Sequence, residues 1–158
     1  MAIQRTPMTR QGYARLKAEL ERLKREERPR ITRAIAEARA HGDLSENAEY
    51  HAAREKQAFV EGRIKELEAK VGNAEVIAPP TGGARVTFGS TLLLRDQDGR
   101  EVRYWIVGSD EAEPSNGKIS IMAPLARTLI GKEVGQVVVA QVPGGKKTYE
   151  ILDVNFPW

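Results

Sequence analysis

Two runs of apolar residues at spacings of three and four, separated by one short polar break, constrain this 158-residue chain more than any other feature. Val60, Ile64, Leu67, Val71 and Ala74 recur with the period of a helix that lays a narrow seam against a partner. Leu16, Leu20 and Leu23 form the same alternation earlier, and Ile31, Ile35 and Ala38 resume it after a phase slip around Glu27 to Pro29. A proline inside a helix removes one hydrogen bond at a cost of about 3 kcal/mol, so the first helix either stops near Arg28 or kinks there. The apolar phase recovers within a turn, which favours the kink. Gly42 suits the left-handed residue that closes a helix, and Asp43 then suits the cap of the next one. So short a connection makes the two helices antiparallel neighbours, and about 30 residues at 1.5 Å each make an arm roughly 45 Å long.

The charges agree with a hairpin. The net charge is only +3, but residues 9 to 40 carry ten bases against five acids, while residues 44 to 75 carry five bases against seven acids. Opposite charges are thereby available across the pair, and solvated, complementary faces account for most of them. With 41% hydrophobic, 30% charged and only 6% aromatic residues, the chain is expected to bury a modest core beneath long solvated helical faces. The absence of cysteine excludes disulfides and thiol chemistry. No apolar run approaches the roughly 20 residues that cross a bilayer, and residues 1 to 8 hold no apolar signal core, so the expected address is the cytoplasm.

Helical periodicity ends in a proline and glycine cluster, Ile77-Ala78-Pro79-Pro80-Thr81-Gly82-Gly83, read as a linker over residues 78–84. Residues 1–77 are then the helical hairpin, with its tip near 41–46, and residues 85–158 a second domain rich in strands. The expected strands are 85–88, 90–94, 101–107, 118–122, 137–142 and 149–154, each short and bounded by turn residues. Asp98-Gly99 and Pro143-Gly144-Gly145 mark hairpins, and one short helix runs from Pro124 to Ile130, closed by Gly131. The fold class is α+β, a helical hairpin followed by a small antiparallel sheet with one helix.

Asp43 and Glu46 place two carboxylates at the turn of the arm. One explanation is local, since an acidic cap followed three residues later by Glu is a variant of the capping box, worth about 1 kcal/mol. The other is chemical, because carboxylates carried on a rigid arm can complete a metal shell inside another molecule. Spacing does not separate the two, and both hold if the cap leaves lone pairs free.

The run from Ala34 to Glu55, with Ala40-His41-Gly42-Asp43-Leu44-Ser45-Glu46-Asn47-Ala48-Glu49-Tyr50 at its centre, resembles the tip of the bacterial Gre transcript cleavage factors. The resemblance continues through Pro7-Met8-Thr9, Gln57 to Ile64, Pro124 to Lys132 and Pro143-Gly144-Gly145, and so covers the whole chain. It implies a monomeric accessory factor rather than an enzyme. The hairpin would enter the secondary channel of RNA polymerase, and a β-domain similar to FK506-binding proteins would hold the channel rim. The polymerase itself would hydrolyse the backtracked RNA. Asp43 and Glu46 would share a Mg²⁺ ion in the polymerase site and orient the attacking water, with tight binding of Mg²⁺ by the free protein not expected. Arg39 and Arg54 would hold the 3′ end of the extruded RNA through its phosphates. Pro124 and Arg127 would dock on the rim. Where the family usually has a polar pair before that proline, this chain has Met122-Ala123, which implies a more apolar contact.

Other motifs are weaker. His41 and His51 are the two histidines and have no cysteine beside them, a poor basis for a zinc site. Gly144-Gly145-Lys146-Lys147 lacks the strand, loop and helix of a phosphate-binding loop and reads as a hairpin turn. Competing functional classes are a non-cleaving regulator of the same channel, a coiled-coil adaptor or chaperone using the apolar seam, and a prolyl isomerase suggested by fold alone.

Overall fold

The computed structural model describes residues 5–42, 46–78 and 85–156, so the Pro79 to Ala84 part of the expected linker lies outside the described residues. The chain divides into two units. One comprises residues 13–73; the other comprises the N-terminal residues up to Gly12 together with those from Ala74 onward.

In the first unit, helix α1 (Arg10–Arg22, its first turn belonging to the other unit) passes into a π-helical segment, Leu23–Glu27, and then directly into α2 (Arg28–Arg39). Helix α3 (Ala48–Gly72) returns beside them. The first helix therefore does not stop at Arg28. Arg28 keeps helical dihedrals, and its N–H reaches back to the Leu23 carbonyl, five residues earlier. This wider turn takes up one extra residue just before Pro29, whose ring and missing N–H interrupt the regular hydrogen-bond ladder of a continuous helix there. The phase slip in the sequence has the same origin. Heptad spacing continued from Leu16, Leu20 and Leu23 would reach positions 30, 34 and 37, and one extra residue moves the seam to Ile31, Ile35 and Ala38.

The seam is dry. Leu20, Leu23, Ile31, Ile35, Val60, Ile64 and Leu67 form one buried cluster, joined by the half-buried Leu16, Tyr50, Ala53 and Val71. Ala74, the last apolar position expected in the seam, instead opens a strand. Ion pairs fix the antiparallel sense, with Arg28–Glu61 at 3.0 Å, Lys24–Glu68 at 3.7 Å and Arg63–Glu19 at 3.0 Å. The first two join a basic first helix to an acidic second one; the third runs the other way. Arg63 grips Glu19 through two nitrogens and also contacts Glu66, and the bond to Glu19 is the main cause of its raised pKa. Exposed pairs of this kind each add about 0.5 kcal/mol and serve register more than stability.

In the second unit, β1 (Thr6–Met8) lies parallel to β2 (Ala74–Val76), pairing Thr6 with Ala74. This pairing moves the boundary expected from sequence: residues 6–12 and 74–77 belong with the β unit, because strand hydrogen bonds join the two ends of the helical segment there. The main sheet contains β3 (Thr91–Asp96), β4 (Glu101–Val107), β5 (Lys118–Ser120), β6 (Val137–Val142) and β7 (Gly145–Asn155), in the order β5-β4-β3-β7-β6. It is mixed rather than wholly antiparallel. β5 runs parallel to β4, because the segment between them spends two 3-10 turns, Ser109–Glu111 and Pro114–Asn116, on a crossover instead of a hairpin.

Two strand expectations are trimmed. Residues 85–88 make only a bridge from Arg85 to Glu133; Val86 exchanges bonds with Lys132 and Gly131, and Thr87 to Ser90 then turn. β5 ends at Ser120, whose hydroxyl accepts from the Met122 N–H and curls the chain toward α4 (Pro124–Leu129). Leu125, Ala126 and Leu129 of α4 cover a core of Leu92, Leu94, Ile106, Val138, Ala140 and Ile151. Pro143-Gly144 is the turn of the β6–β7 hairpin, with Val142 opposite Gly145, so this glycine-lysine run is a hairpin.

Tyr149 is 4% exposed, and its pKa is raised above the ordinary 10.0, first by burial and then by the charge of Asp96. An acid whose pKa is raised on folding contributes stability that is complete below its unfolded value and lost as pH rises through its folded value. Stability should therefore fall as pH climbs above about 10, and Tyr149→Phe should flatten that alkaline limb in urea titrations across pH. An unchanged alkaline limb would show that this phenol does not govern it.

Candidate functional site at the hairpin tip

Helix α2 closes by tightening. The His41 N–H bonds to the Ala38 carbonyl at 3.2 Å and the Gly42 N–H to the Arg39 carbonyl at 3.3 Å. Gly42 then takes φ 105°, a left-handed conformation that costs glycine little, as its place in the sequence suggested. Asp43 lies outside the described residues, together with Leu44 and Ser45.

The cap of α3 is Asn47, not Asp43. Asn47 has extended backbone (φ −85°, ψ 98°), and its side-chain oxygen accepts from the Tyr50 N–H at 3.0 Å. Its side-chain nitrogen donates to the Ala38 carbonyl at 2.6 Å. One amide thus caps the start of α3 and satisfies a carbonyl at the end of α2. A capping box begun by Asp43 is therefore not what starts α3. Glu46 precedes the cap, is exposed, and makes no ion pair with any other described residue. No ion pair to a described residue occupies its carboxylate.

Around this point the side chains form a charged collar. His41 Nδ1 lies 3.2 Å from Glu49 Oε2, both exposed. The Arg39 guanidinium lies over the Tyr50 ring at 5.9 Å, a weak cation–π contact. Arg54 is four residues beyond Tyr50 and therefore on the same face of α3. Arg39 thus stacks on Tyr50 and Arg54 follows Tyr50 by one helical turn, and neither forms an ion pair with a described residue. Tyr50 also meets His51 edge to face, with ring centroids 5.7 Å apart. Among the described residues no group of three His, Asp or Glu side chains gathers as a metal site.

Pro124 and Arg127 belong to the other unit, three residues apart on the open face of α4, with Met122 57% exposed just before them. They share one exposed surface of α4. Asn47 and Tyr50 went unnoticed in the sequence. Asp43, Ser45 and Asn47 are all good caps, and propensity does not choose among them; only the reach of Asn47 to Ala38 does.

Residues 6–76 match the family described as "Transcription elongation factor, N-terminal", and residues 80–156 the family described as "Transcription elongation factor, GreA/GreB, C-term". The chain is 58% identical to "Transcription elongation factor GreA" of Thioalkalivibrio sulfidiphilus (strain HL-EbGR7), covering 96% of this chain and 98% of that protein. It is 56% identical to the protein of the same name from Alkalilimnicola ehrlichii (strain ATCC BAA-1101 / DSM 17681 / MLHE-1), with the same coverage. Among solved structures, GreA factor homolog 1 (Gfh1) of Thermus thermophilus is 28% identical over 96% of this chain and 99% of that one, with a TM-score of 0.45. With both halves matched in order and relatives above half identity along almost their full length, the chain belongs to the GreA/GreB family of transcription elongation factors.

Proposed function

We propose that this elongation factor enters the secondary channel of RNA polymerase with its helical hairpin and stimulates the polymerase's own Mg²⁺-dependent cleavage of backtracked RNA, so that arrested complexes regain an aligned 3′ end. The observation that carries this reading is the Glu46 carboxylate, exposed at the turn and not consumed by capping. A carboxylate used as a cap would have part of its acceptor capacity committed; this one commits none to capping α3, and its oxygens can accept from water or face a cation.

The fit to Mg²⁺ is partial by construction. Mg²⁺ takes six oxygens and keeps several waters, so two tip carboxylates supply part of a shell and the polymerase supplies the rest. Bound between the two proteins, the ion would supply charge stabilisation and an activated water. Asp43 and Glu46 hold the charge and orient that water from the tip. Arg39 and Arg54 meet the phosphates of the extruded RNA on the adjoining face. Pro124 and Arg127, beside the exposed Met122, rest on the channel rim. No helix among the described residues is long and apolar enough to cross a membrane, and we place the factor in the cytoplasm, acting as a monomer.

The test is release of labelled RNA fragments from stalled, backtracked complexes, with the protein, the polymerase and Mg²⁺ each omitted in turn. Cleavage should need the polymerase and Mg²⁺ and be accelerated by the protein. Binding without acceleration would favour a channel-blocking regulator, and no binding an adaptor role.

Arg39→Ala and Arg54→Ala should each weaken the hold on RNA. For single-stranded nucleic acid the logarithmic salt slope changes by about 0.7 for each phosphate that is no longer neutralised. Half-saturation for cleavage, measured from low to moderate salt, should flatten by about that amount per arginine once the slope of polymerase binding is subtracted. An unaltered slope would mean that the arginines are only solvated charges.

A further inference from the structure

We propose that Asn47 is the positioning residue of the tip, a single amide that ties the end of α2 to the start of α3 and thereby sets the direction in which Glu46 is presented. This rests on the metal-delivery reading above.

The amide leaves no freedom in its orientation. The Ala38 carbonyl is only an acceptor and the Tyr50 N–H only a donor, so Nδ2 faces the first and Oδ1 the second; a flipped amide would oppose like groups at both. Both bonds are short enough to act together, at 2.6 and 3.0 Å. The first ties Ala38 to Asn47, nine positions later, and every tip residue assigned to metal delivery lies between them in the chain. Glu46 is the peptide neighbour of Asn47, so the backbone angles that the amide holds also aim Glu46.

Other side chains do half of this. Aspartate caps as well as asparagine but has no donor, and it would set a carboxylate against the Ala38 carbonyl. Serine caps through its hydroxyl and is too short to bridge to α2. Both substitutions keep α3 and remove the tie, one adding charge and one not. Their agreement would identify geometry rather than electrostatics as the cause. Misplacing a reacting group by about 1 Å costs on the order of 100-fold in rate, so even a partial loosening is measurable.

The experiment compares wild type, Asn47→Asp and Asn47→Ser by three readouts. At saturating factor, stimulated cleavage should fall by about tenfold to 100-fold with affinity for the polymerase unchanged. Half-maximal stimulation should also require more Mg²⁺, a shift that loss of helix stability alone would not produce. In the free protein, spin labels on cysteines introduced at the exposed positions Glu37 and Ala52, straightforward in a cysteine-free chain, should report a broader distance across the tip in both variants. An unchanged distance distribution overturns the proposal by itself. So do wild-type cleavage and Mg²⁺ dependence in both variants while Asp43→Asn and Glu46→Gln abolish stimulation, an outcome that leaves the metal-delivery reading standing. Retention of stimulation by Asp43→Asn and Glu46→Gln overturns that reading and the proposal with it.

Discussion

Asp43→Asn and Glu46→Gln are each expected to lower stimulated RNA cleavage by about 100-fold or more, an effect of roughly 2.7 kcal/mol on the barrier, with polymerase affinity within about twofold of wild type. Each amide keeps the volume of the acid and one acceptor oxygen, and loses the negative charge on which a hard divalent ion depends. The structure sharpens the expectation for Glu46. Because Asn47 caps α3, Glu46→Gln has no cap to break, and thermal stability should stay within about 0.5 kcal/mol of wild type. A capping role would reverse the pattern, with stability lost and cleavage kept. Rates in backtracked complexes, binding by competition, and melting of the free protein together separate the two. Full stimulation by either variant under saturating conditions would refute metal delivery.

The second large effect concerns the stability of the other unit. Glu111 accepts from the Thr9 N–H, the Thr9 hydroxyl and the Gly108 N–H, while the Thr9 oxygen accepts from the Gly12 N–H at the start of α1. One carboxylate thus gathers the N-terminal segment and the first 3-10 turn of the crossover. Glu111→Gln turns an acceptor oxygen into an N–H₂ group facing other donors and should cost about 2 to 3 kcal/mol, since the donors left behind are partly buried.

Gly12→Ala tests the same contact from the other side. Alanine normally stabilises a helix by about 1 kcal/mol relative to glycine. Here a Cβ at position 12 would lie 1.8 Å from Glu111 Oε1 and 2.6 Å from its Cγ, so the whole side chain must leave and its bonds go with it. The sign reverses, with a net loss of about 2 kcal/mol. Gly62→Ala on α3, where a Cβ meets nothing within 4 Å, is the control and should gain up to about 1 kcal/mol. Urea midpoints of the three variants decide it. If Gly12→Ala gains stability as Gly62→Ala does, Glu111 is not the clasp that its hydrogen bonds indicate.

Much of this protein was legible in its sequence because the governing physics is local. A seam repeating every three or four residues has one economical solution, a partner helix, and a glycine at the break has one economical conformation. The slip at Glu27 to Pro29 announced an irregularity, and the π segment is the physical form it takes. The strands from Glu101 to Val107 and Val137 to Val142 are runs rich in β-branched and aromatic residues between turn signals, and can be bounded to the residue. Elsewhere local preference misled. Val86, Thr87 and Phe88 favour extended backbone, yet only a bridge at Arg85 and the bonds of Val86 find partners nearby, and the chain turns.

The sequence by itself determined the helical hairpin, the carboxylates at its turn and the strand-rich second half, since these follow from periodicity and from residue types a few positions apart. The tertiary structure decided which of three competent caps is used, which pair of strands is parallel, and where the helical unit ends. Each of these depends on a partner that sequence spacing does not reveal: Ala38 for Asn47 across the hairpin, β2 for β1 beyond it, and Thr9 for Glu111 at a separation of 102 residues. A hydrogen bond between groups so far apart leaves no periodic trace in the chain, because its strength depends only on where folding brings its two ends.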